Sequence, residues 1–343
     1  MRTFILLCLL WPIAVMAQHP RAGNNGFDTA YVHDHSHVVT GRFYLITKYN
    51  RMRFGASGSP DLLYQPNNRY NFGLGLSYRS LTLNIGVGIP GTNSDQHKYG
   101  TTRYLDAQAN IYNKRWATNL FLQRFEGYYT PSYTKEELGW IQNTELATRG
   151  DLVQWNIGTS TVRVLNNDRF SYSAAFNQDA WQRKSQGSWL VGGYLTYFAL
   201  QADSSLVPQA IAGRFEEGLH MRKGRFWDIG PMGGYAYTWV YREHWFVTGS
   251  GVVGAGISAQ RVETEDSDDQ RRNSTVTGPG WHLQVRGGAG YNSRDHYFGM
   301  SWTQENVLYL VDARDRFAWT VGNVRVNFVK RFNRRTDRRK ASK

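Results

Sequence analysis

The feature that most constrains this chain is an alternation of apolar and polar residues with a period of two. In residues 103–111 the odd positions are mainly apolar, whereas Asp106, Gln108 and Asn110 occupy even positions. The same alternation returns in residues 281–289. A period of two is typical of a β-strand whose two faces meet different surroundings, because a helix would repeat every 3.6 residues.

Thirteen segments carry this alternation or a β-rich composition, which predicts a nearly all-β chain. A strand of about ten residues, tilted near 40°, spans the roughly 25 Å apolar band of an outer-membrane barrel. Short turns alternate with long polar connections, as they do between the periplasmic and outer sides of such barrels. The segments are residues 42–49, 70–79, 81–89, 103–111, 115–124, 151–164, 169–177, 189–200, 229–241, 244–257, 281–289, 295–303 and 318–332.

Two all-β architectures compete, a secreted β-sandwich and an outer-membrane barrel. A sandwich has a dry, apolar inner face, whereas here rows of charged and amide side chains lie opposite apolar rows that a soluble protein would expose. Aromatic residues make up 15% of the chain, and Trp or Tyr flanks many segments, as in the aromatic girdles of membrane barrels. We therefore predict a closed antiparallel transmembrane β-barrel of the outer-membrane type, with 12–14 strands.

The strand count raises one question, because bacterial barrels of this kind close with an even number of strands. The rhythm of short turns breaks between residues 177 and 229. This region either contains a further strand near residues 206–215 or holds a segment folded into the lumen.

The N-terminus predicts export. Residues 1–17 place Arg2 before an apolar stretch that ends in small residues, and we expect a signal peptidase to cut between Ala17 and Gln18. Cys8, the single cysteine, lies in this segment, so the mature chain would have no disulfide or thiolate site. The predicted organisation is a signal peptide at 1–17, a periplasmic lead-in at 18–40, the barrel at 41–332 and a basic tail at 333–343.

The charge balance indicates which partners to expect. The chain has 40 Lys and Arg against 27 Asp and Glu, and residues 330–343 hold eight of the basic residues. An exported chain does not predict a nucleic-acid partner, so the tail either faces anionic lipid head groups or is solvated. The predicted partners are outer-membrane lipids, the outer-membrane assembly machinery through the last strand ending at Phe332, and a small solute of unknown identity.

Eight ordered clusters carry a family resemblance. They are YQPN (64–67), GLGLSYR (73–79), YLDAQANIY (104–112), QRFEGYY (123–129), FSYSAAFNQ (170–178), RKSQGS (183–188), ADSSLVP (202–208) and GYAYT (234–238). Together they resemble a family of outer-membrane proteins from Bacteroidetes-type Gram-negative bacteria, domain-of-unknown-function family 4421, over about residues 28–332. The resemblance implies an envelope barrel, and it implies no activity, catalytic residue or substrate.

Polar residues of the alternating strands are candidates for the lumen wall. Asp106, Gln123 and Arg286 would tune what enters the barrel. The polar cluster at Arg183, Lys184 and Ser185, together with Asp203, has two interpretations. It forms either a constriction in which Asp203 balances the cations or a structural turn.

The remaining motifs give weak signals for metal binding or catalysis. His33, His35 and His37 would share one face of an extended strand and could hold zinc, but a polar lead-in explains them better. We predict no metal or other cofactor, and no Gly-x-Ser-x-Gly elbow marks a nucleophile, so no catalytic residue is assigned. The favoured role is a channel, passive transporter or structural barrel for small or lipid-like molecules. A lipid-modifying enzyme and a surface-binding or adhesion barrel acting through long outer loops are the alternatives.

Overall fold

The computed structural model describes residues 26–55, 60–67, 70–78, 81–89, 95–265, 271–310 and 316–332. The predicted signal peptide, its cleavage site at Ala17 and Gln18, and the tail at 333–343 lie outside these residues. None of the helices in the described part of the chain is long and apolar enough to cross a membrane.

Strands dominate the structure, so the all-β prediction is confirmed. The strands are β1 (Val32–Asp34), β2 (Val39–Phe54), β3 (Leu62–Tyr64), β4 (Tyr70–Tyr78), β5 (Leu81–Gly88), β6 (Arg103–Tyr112), β7 (Trp116–Thr130), β8 (Ala147–Val164), β9 (Ala180–Gln182), β10 (Gln186–Gln201), β11 (Met221–Tyr241), β12 (Trp245–Glu265), β13 (Arg271–Asn292), β14 (His296–Leu310) and β15 (Arg316–Phe332). The helical elements are α1 (Gln96–Tyr99), α2 (Lys135–Leu138), α3 (Tyr172–Phe176) and two 3₁₀ helices at Gln209–Arg214 and Glu217–Leu219.

Twelve strands form one antiparallel sheet in the order β5-β4-β2-β15-β14-β13-β12-β11-β10-β8-β7-β6. The short β3 joins β2, and β1 pairs with β9 in a separate two-stranded sheet. Neighbouring strands in this order are mostly neighbours in sequence, joined by hairpin turns such as residues 242–244 and 293–295. We call the end of the sheet where these short turns lie the short-turn end, and the opposite end the long-loop end.

The sheet is strongly curled, because side chains of distant strands meet inside it. Asn50 of β2 donates to Gln154 of β8 at 3.0 Å. These strands are seven positions apart in the sheet order, which in a flat sheet would separate them by about 34 Å. The guanidinium of Arg286 in β13 likewise reaches the hydroxyl of Tyr112 in the edge strand β6. The curled sheet therefore encloses an interior.

The sequence predicts a closed barrel, and this part of the prediction is wrong for the described residues, because the curled sheet leaves a seam between its two edge strands. Between the described residues of the edge strands β5 and β6 there is no hydrogen-bonded ladder. Above this seam, the amides and carbonyls of Gln65 and Tyr129 exchange two hydrogen bonds of 2.8 and 2.9 Å, which connect the β3 segment to β7. The strands beside the seam are short, because β4 and β5 have nine and eight residues, whereas β2 has 16.

The predicted strand at 169–177 is wrong, and its correction leaves an even strand number. Residues Tyr172–Phe176 form α3, and the Ser171 hydroxyl caps it by accepting a hydrogen bond from the Ala174 amide at 3.3 Å. Four consecutive α3 residues are buried, because the segment is enclosed by the sheet and does not lie in its wall. Residues 206–215 contain a 3₁₀ helix and not the further strand considered above.

A plug fills the short-turn end of the interior. We define the plug as residues 26–38 and 165–185, which contain β1, α3 and β9. Residues 26–38 include most of the described part of the predicted polar lead-in, yet Phe27 and Val32 are buried against the other plug segment. The lead-in is thus partly a packing element.

Candidate functional site

The interior contains a polar chamber between two blocked ends. Its walls include Lys48, Asp106, Gln123, Arg286 and Arg325, from five different strands. The cavity volume is about 80 Å³. Sites for drug-sized ligands start near 300 Å³, so the chamber suits a small solute or a few waters.

Aromatic side chains block the chamber toward the long-loop end. Phe198, Phe226, Tyr309, Phe317 and Trp319 are buried there. Their ring centroids lie 4.7 to 6.2 Å apart, which is the packing distance of aromatic cores. This aromatic layer narrows the outer half of the described interior.

The connections at the long-loop end pack over this aromatic layer. The Tyr64 hydroxyl donates to the Leu206 carbonyl at 2.6 Å. Arg149 holds the Asp151 carboxylate with two bonds of 2.7 and 2.9 Å and donates to the Ser205 carbonyl at 2.8 Å. The segment after β10 is therefore fixed to β8 by charged hydrogen bonds.

The plug blocks the chamber toward the short-turn end. Tyr172 of α3 contacts the ring of Tyr112 edge-on at 5.6 Å, and the Phe176 ring lies tilted against Tyr172 at 5.0 Å. Two arginines anchor the chain after α3. Arg42 donates to the Asn177 carbonyl at 2.7 Å, and Arg331 to the Gln178 carbonyl at 2.8 Å.

Asp106 is the centre of the first polar network in the chamber. Lys48 approaches its carboxylate at 2.5 Å, and Gln123 and Gln108 each donate to it at 3.0 Å. The Gln123 amide oxygen in turn accepts from Asn156 at 2.9 Å. The alternating polar row of β6 therefore faces the interior, opposite the apolar row.

Arg286 is the centre of the second network. Its guanidinium donates to the Tyr112 hydroxyl and lies 3.8 Å from the Glu305 carboxylate. Glu305 also accepts from Gln284 at 2.7 Å. The guanidinium lies about 6 Å from the ring centres of Tyr112, Tyr172 and Phe176, so it joins β6, β13 and the plug.

Arg325 gives the chamber a surplus positive charge. Lys48 pairs with Asp106 and Arg286 faces Glu305, whereas no described carboxylate lies within 4 Å of the Arg325 guanidinium. Its recorded contact is with the ring of Tyr44, at 5.0 Å from the centroid. A chamber with three cations and two anions attracts small anions.

The structure brings Asp106, Gln123 and Arg286 to one chamber and places the other candidates elsewhere. Arg183 lies on the plug, where it pairs with Glu243 at 2.9 Å and lowers the pKa of that carboxyl through the hydrogen bond. Lys184 lies over the ring of Tyr31 at 5.3 Å.

Ser185 and Asp203 bear on the two interpretations of the polar cluster. The Ser185 hydroxyl accepts from the Val240 amide at 2.8 Å, which is a structural contact. Asp203 lies at the far end of β10, and its amide donates to Asp151 at 2.9 Å. The 16 residues of β10 separate Asp203 from Lys184 by about 50 Å, so Asp203 does not balance the cations at Arg183 and Lys184.

The three histidines do not share one face as an extended strand would place them. β1 ends at Asp34, whose carboxylate accepts from the Ser36 amide at 2.9 Å and turns the chain. His33 and His35 stack edge-on at 4.7 Å, and burial lowers the pKa of both. Within the described ranges, no group of three or more His, Cys, Asp or Glu side chains could hold a metal ion, His37 included.

Sequence reasoning missed Lys48, Glu305 and Arg325. A signal for Arg325 existed, because Asn323, Arg325 and Asn327 alternate with valines in β15. Glu305 also lies in a polar row, because Ser301 and Thr303 precede it at alternate positions of β14. Lys48 has no comparable row, and only the curl of the sheet brings it to the chamber.

Comparisons with known proteins support a family and a general resemblance. The model of the family described as Domain of unknown function (DUF4421) matches residues 27–332. No curated protein matches the chain. Among solved structures, the outer membrane protease OmpT of Escherichia coli is 9% identical, with a TM-score of 0.37 over 88% of this chain and 98% of that one.

Two further solved structures are similarly distant. The toluene transporter TodX of P. putida is 8% identical, with a TM-score of 0.22 over 92% of this chain and 95% of that one. The attachment invasion locus protein Ail of Yersinia pestis is 10% identical, with a TM-score of 0.20 over 84% and 98%. Scores this low carry no argument about what this chain binds or does.

Proposed function

Because the chain belongs to the DUF4421 family, whose description states no function, we propose one from its own structure. The protein is an outer-membrane β-barrel that acts as a gated passive transporter for small polar solutes, preferably anions. The short-turn end faces the periplasm and the long-loop end faces outward, as in other barrels of this class.

The outward face of the sheet supports the membrane location. Ile229, Val253 and Ile257 are 59%, 54% and 64% exposed, and they belong to neighbouring strands. Trp239, Tyr241 and Trp245 are exposed at the short-turn end of the same strands. A continuous apolar band with aromatic residues at its margin is stable against lipid and unstable against water.

The polar chamber is the observation that carries the transport proposal. A barrel with a purely structural role could fill its interior with apolar side chains, as this one does near its outer end. Instead, Lys48, Asp106, Arg286, Glu305 and Arg325 line the central cavity. Arg286 is buried and the other four are partly buried, and withdrawing charged groups from water costs stability unless it serves specificity or a ligand.

The plug is attached in a way that permits release. Arg42, Arg331, Tyr297 and Asn292 hold it through side-chain bonds to its backbone carbonyls, at 2.7 to 3.4 Å. No strand of the plug joins the twelve-stranded sheet in the described residues. Release would therefore break side-chain contacts and leave the wall intact.

Planar-bilayer conductance tests the proposal. We expect the wild-type protein to be nearly silent, and the R42A/R331A variant to give stepwise currents that favour anions. K184A, which removes a contact between Lys184 and the Tyr31 ring within the plug, is the matched control and should behave as wild type. Heat-dependent mobility in detergent gels verifies that each variant is folded. A folded R42A/R331A barrel that stays silent, or a wild-type barrel that is constantly open, would contradict gating by the plug.

A lipid-modifying enzyme is not proposed as a second function. Among the described residues, the side-chain nitrogens of His220 and His244 contact backbone carbonyls, and that of His296 contacts Lys330. No described imidazole is hydrogen-bonded to a Ser, Thr, Asp or Glu side chain, so no observation favours the enzyme.

A further inference from the structure

Two arginines face each other on the outward surface of the sheet. Arg225 of β11 and Arg261 of β12 are direct cross-strand partners. Both lie on the exposed face of their strands. Directly opposite residues in an antiparallel pair have Cβ atoms about 5 Å apart, and like charges at that distance destabilise the pairing.

Nothing in the described part of the chain neutralises this pair. Among the described residues, no carboxylate lies within 4 Å of either guanidinium, and the neighbouring Glu263 is shared by Arg222 at 3.4 Å and Lys223 at 4.0 Å. Within this part of the chain, the two positive charges therefore have no carboxylate as a direct partner.

Arg124 shows how the same chain treats an arginine at a similar level. Arg124 lies on β7, and successive cross-strand partners lead from it through Trp155 and Ala199 to Arg225, so the two arginines lie in one row across the sheet. Its guanidinium contacts Glu126 at 2.7 Å and lies 5.7 Å from the Trp155 ring. Arg124 is thus satisfied within the protein, whereas the Arg225–Arg261 pair is not.

The pair lies at the boundary of the apolar band. Trp227 follows Arg225 on the same face and is 50% exposed. Trp239, at the aromatic margin of the short-turn end, lies twelve residues further along that face, which corresponds to about 30 Å along the membrane normal at a 40° tilt. The two exposed tryptophans therefore bracket the roughly 25 Å apolar band, and Arg225 lies about 5 Å outward of Trp227, at head-group level.

We propose that Arg225 and Arg261 form a binding site for the phosphate group of an anionic lipid in the outer leaflet. Guanidinium groups bind phosphate oxygens in a bidentate manner, and one phosphate between the two side chains would replace their repulsion by attraction. Thr275, the cross-strand partner of Arg261, places a hydroxyl on the same exposed row.

A lipid is the occupant because the surface below the pair fits acyl chains. Trp227, Ile229 and Ile257 continue the same face toward the middle of the band and are all exposed. A phosphate bound above them brings its chains onto this surface, whereas free phosphate gains nothing from it. The proposal rests on the membrane location and orientation given above, and it does not depend on transport.

Lipid binding in nanodiscs of defined composition tests the site. The wild-type protein and its variants are placed in nanodiscs of phosphatidylcholine with a minor fraction of a phosphorylated glycolipid, and bound lipid is measured by native mass spectrometry after release. We expect R225Q/R261Q to bind the phosphorylated lipid at least about tenfold less than wild type, because charge-assisted bonds are lost. The dephosphorylated glycolipid should bind wild type as weakly as the variant.

R124Q is the matched control, and it should retain the lipid. Equal retention by wild type and R225Q/R261Q, or equal loss in R124Q, would overturn the proposal. Displacement of the lipid by millimolar inorganic phosphate would show a simple anion site and would overturn it as well. Failure of all proteins to insert into nanodiscs would instead contradict the membrane barrel itself. The conductance of R225Q/R261Q should equal that of wild type, which keeps this test separate from the test of transport.

Discussion

At the residue scale, Arg286 links the parts that define the chamber. It is only 5% exposed, and its guanidinium reaches the edge strand β6 through Tyr112, the wall through Glu305 and the plug through Phe176. A buried charge with a single near carboxylate depends strongly on that partner. Without the arginine, the Glu305 carboxylate keeps the hydrogen bond from the uncharged Gln284 amide but loses the guanidinium near it.

We expect R286M to lower the free energy of unfolding by about 3 kcal/mol, because it removes one partner of a buried pair. The R286M/E305Q double variant should recover part of this loss, since the unpaired carboxylate is then gone. The measurement is the urea concentration at which half of the protein has lost the gel band of the folded form. R183A, which breaks an exposed pair with Glu243, should change the free energy of unfolding by less than about 1 kcal/mol. Equal losses in the single and double variants would show that Arg286 and Glu305 are not coupled.

Chamber residues that lie in a regular alternation of polar and apolar residues could be predicted from the sequence, whereas the others could not. Asp106 lies in a regular polar row of β6, and that row alone indicates an inward face. Arg325 lies in an equally regular row of β15. The pairing of Lys48 with Asp106 joins positions 58 residues apart, and it depends on how far the sheet curls, which no local period encodes.

At the element scale, the plug shows the limit of reading a period of two. Residues 169–177 alternate well enough to predict a strand, yet Tyr172–Phe176 form α3 inside the curled sheet, where no neighbouring strand pairs with them. The Ser171 cap marks the start of the helix, and Gln178, in the left-handed conformation with φ of 59°, lies two residues after its end. Such short helices carry too few turns for a helical period to be visible.

Docking of the plug should weaken as the pH falls below 6.5. His35 is buried, and burial together with the nearby Arg331, His33 and His37 lowers its pKa in the docked state. The undocked imidazole takes up a proton near pH 6.5 while the docked one stays neutral, so the stability is present above this pH and is lost below it. Between pH 6.5 and 5.5 the loss is about 1 kcal/mol for one such group.

Urea midpoints at pH 7.0, 6.0 and 5.0 measure this effect, with H35Q as the comparison. The variant should lose less stability than wild type over this range. Burial raises the pKa of Asp179, and this favours docking at lower pH, so the difference between the two proteins isolates His35. Parallel pH profiles of wild type and H35Q would contradict the role of His35.

At the scale of the whole molecule, the seam between β5 and β6 decides what kind of barrel this is. At the outer rim, one isolated bridge between Gln65 and Tyr129 connects the β3 segment to β7. Below it, Lys48 of β2 reaches Asp106 at 2.5 Å and the Tyr104 hydroxyl approaches Asn71 of β4 at 3.4 Å, so side chains connect β6 to the strands beyond β5. A seam held by side chains and not by a ladder would give the chamber a lateral opening toward lipid.

Hydrogen exchange in nanodiscs measures the seam directly. Along β6, amides that bond to β7 should exchange slowly, whereas the alternate amides facing β5 should exchange fast, because no backbone acceptor holds them. Strand β12 is the internal reference, since β11 and β13 pair with it on both sides. Uniformly slow exchange along β6 would mean that the ladder forms in the membrane and that the barrel closes completely. In that case the chamber has no lateral opening, and a solute can enter only by displacement of the plug or of the outer loops.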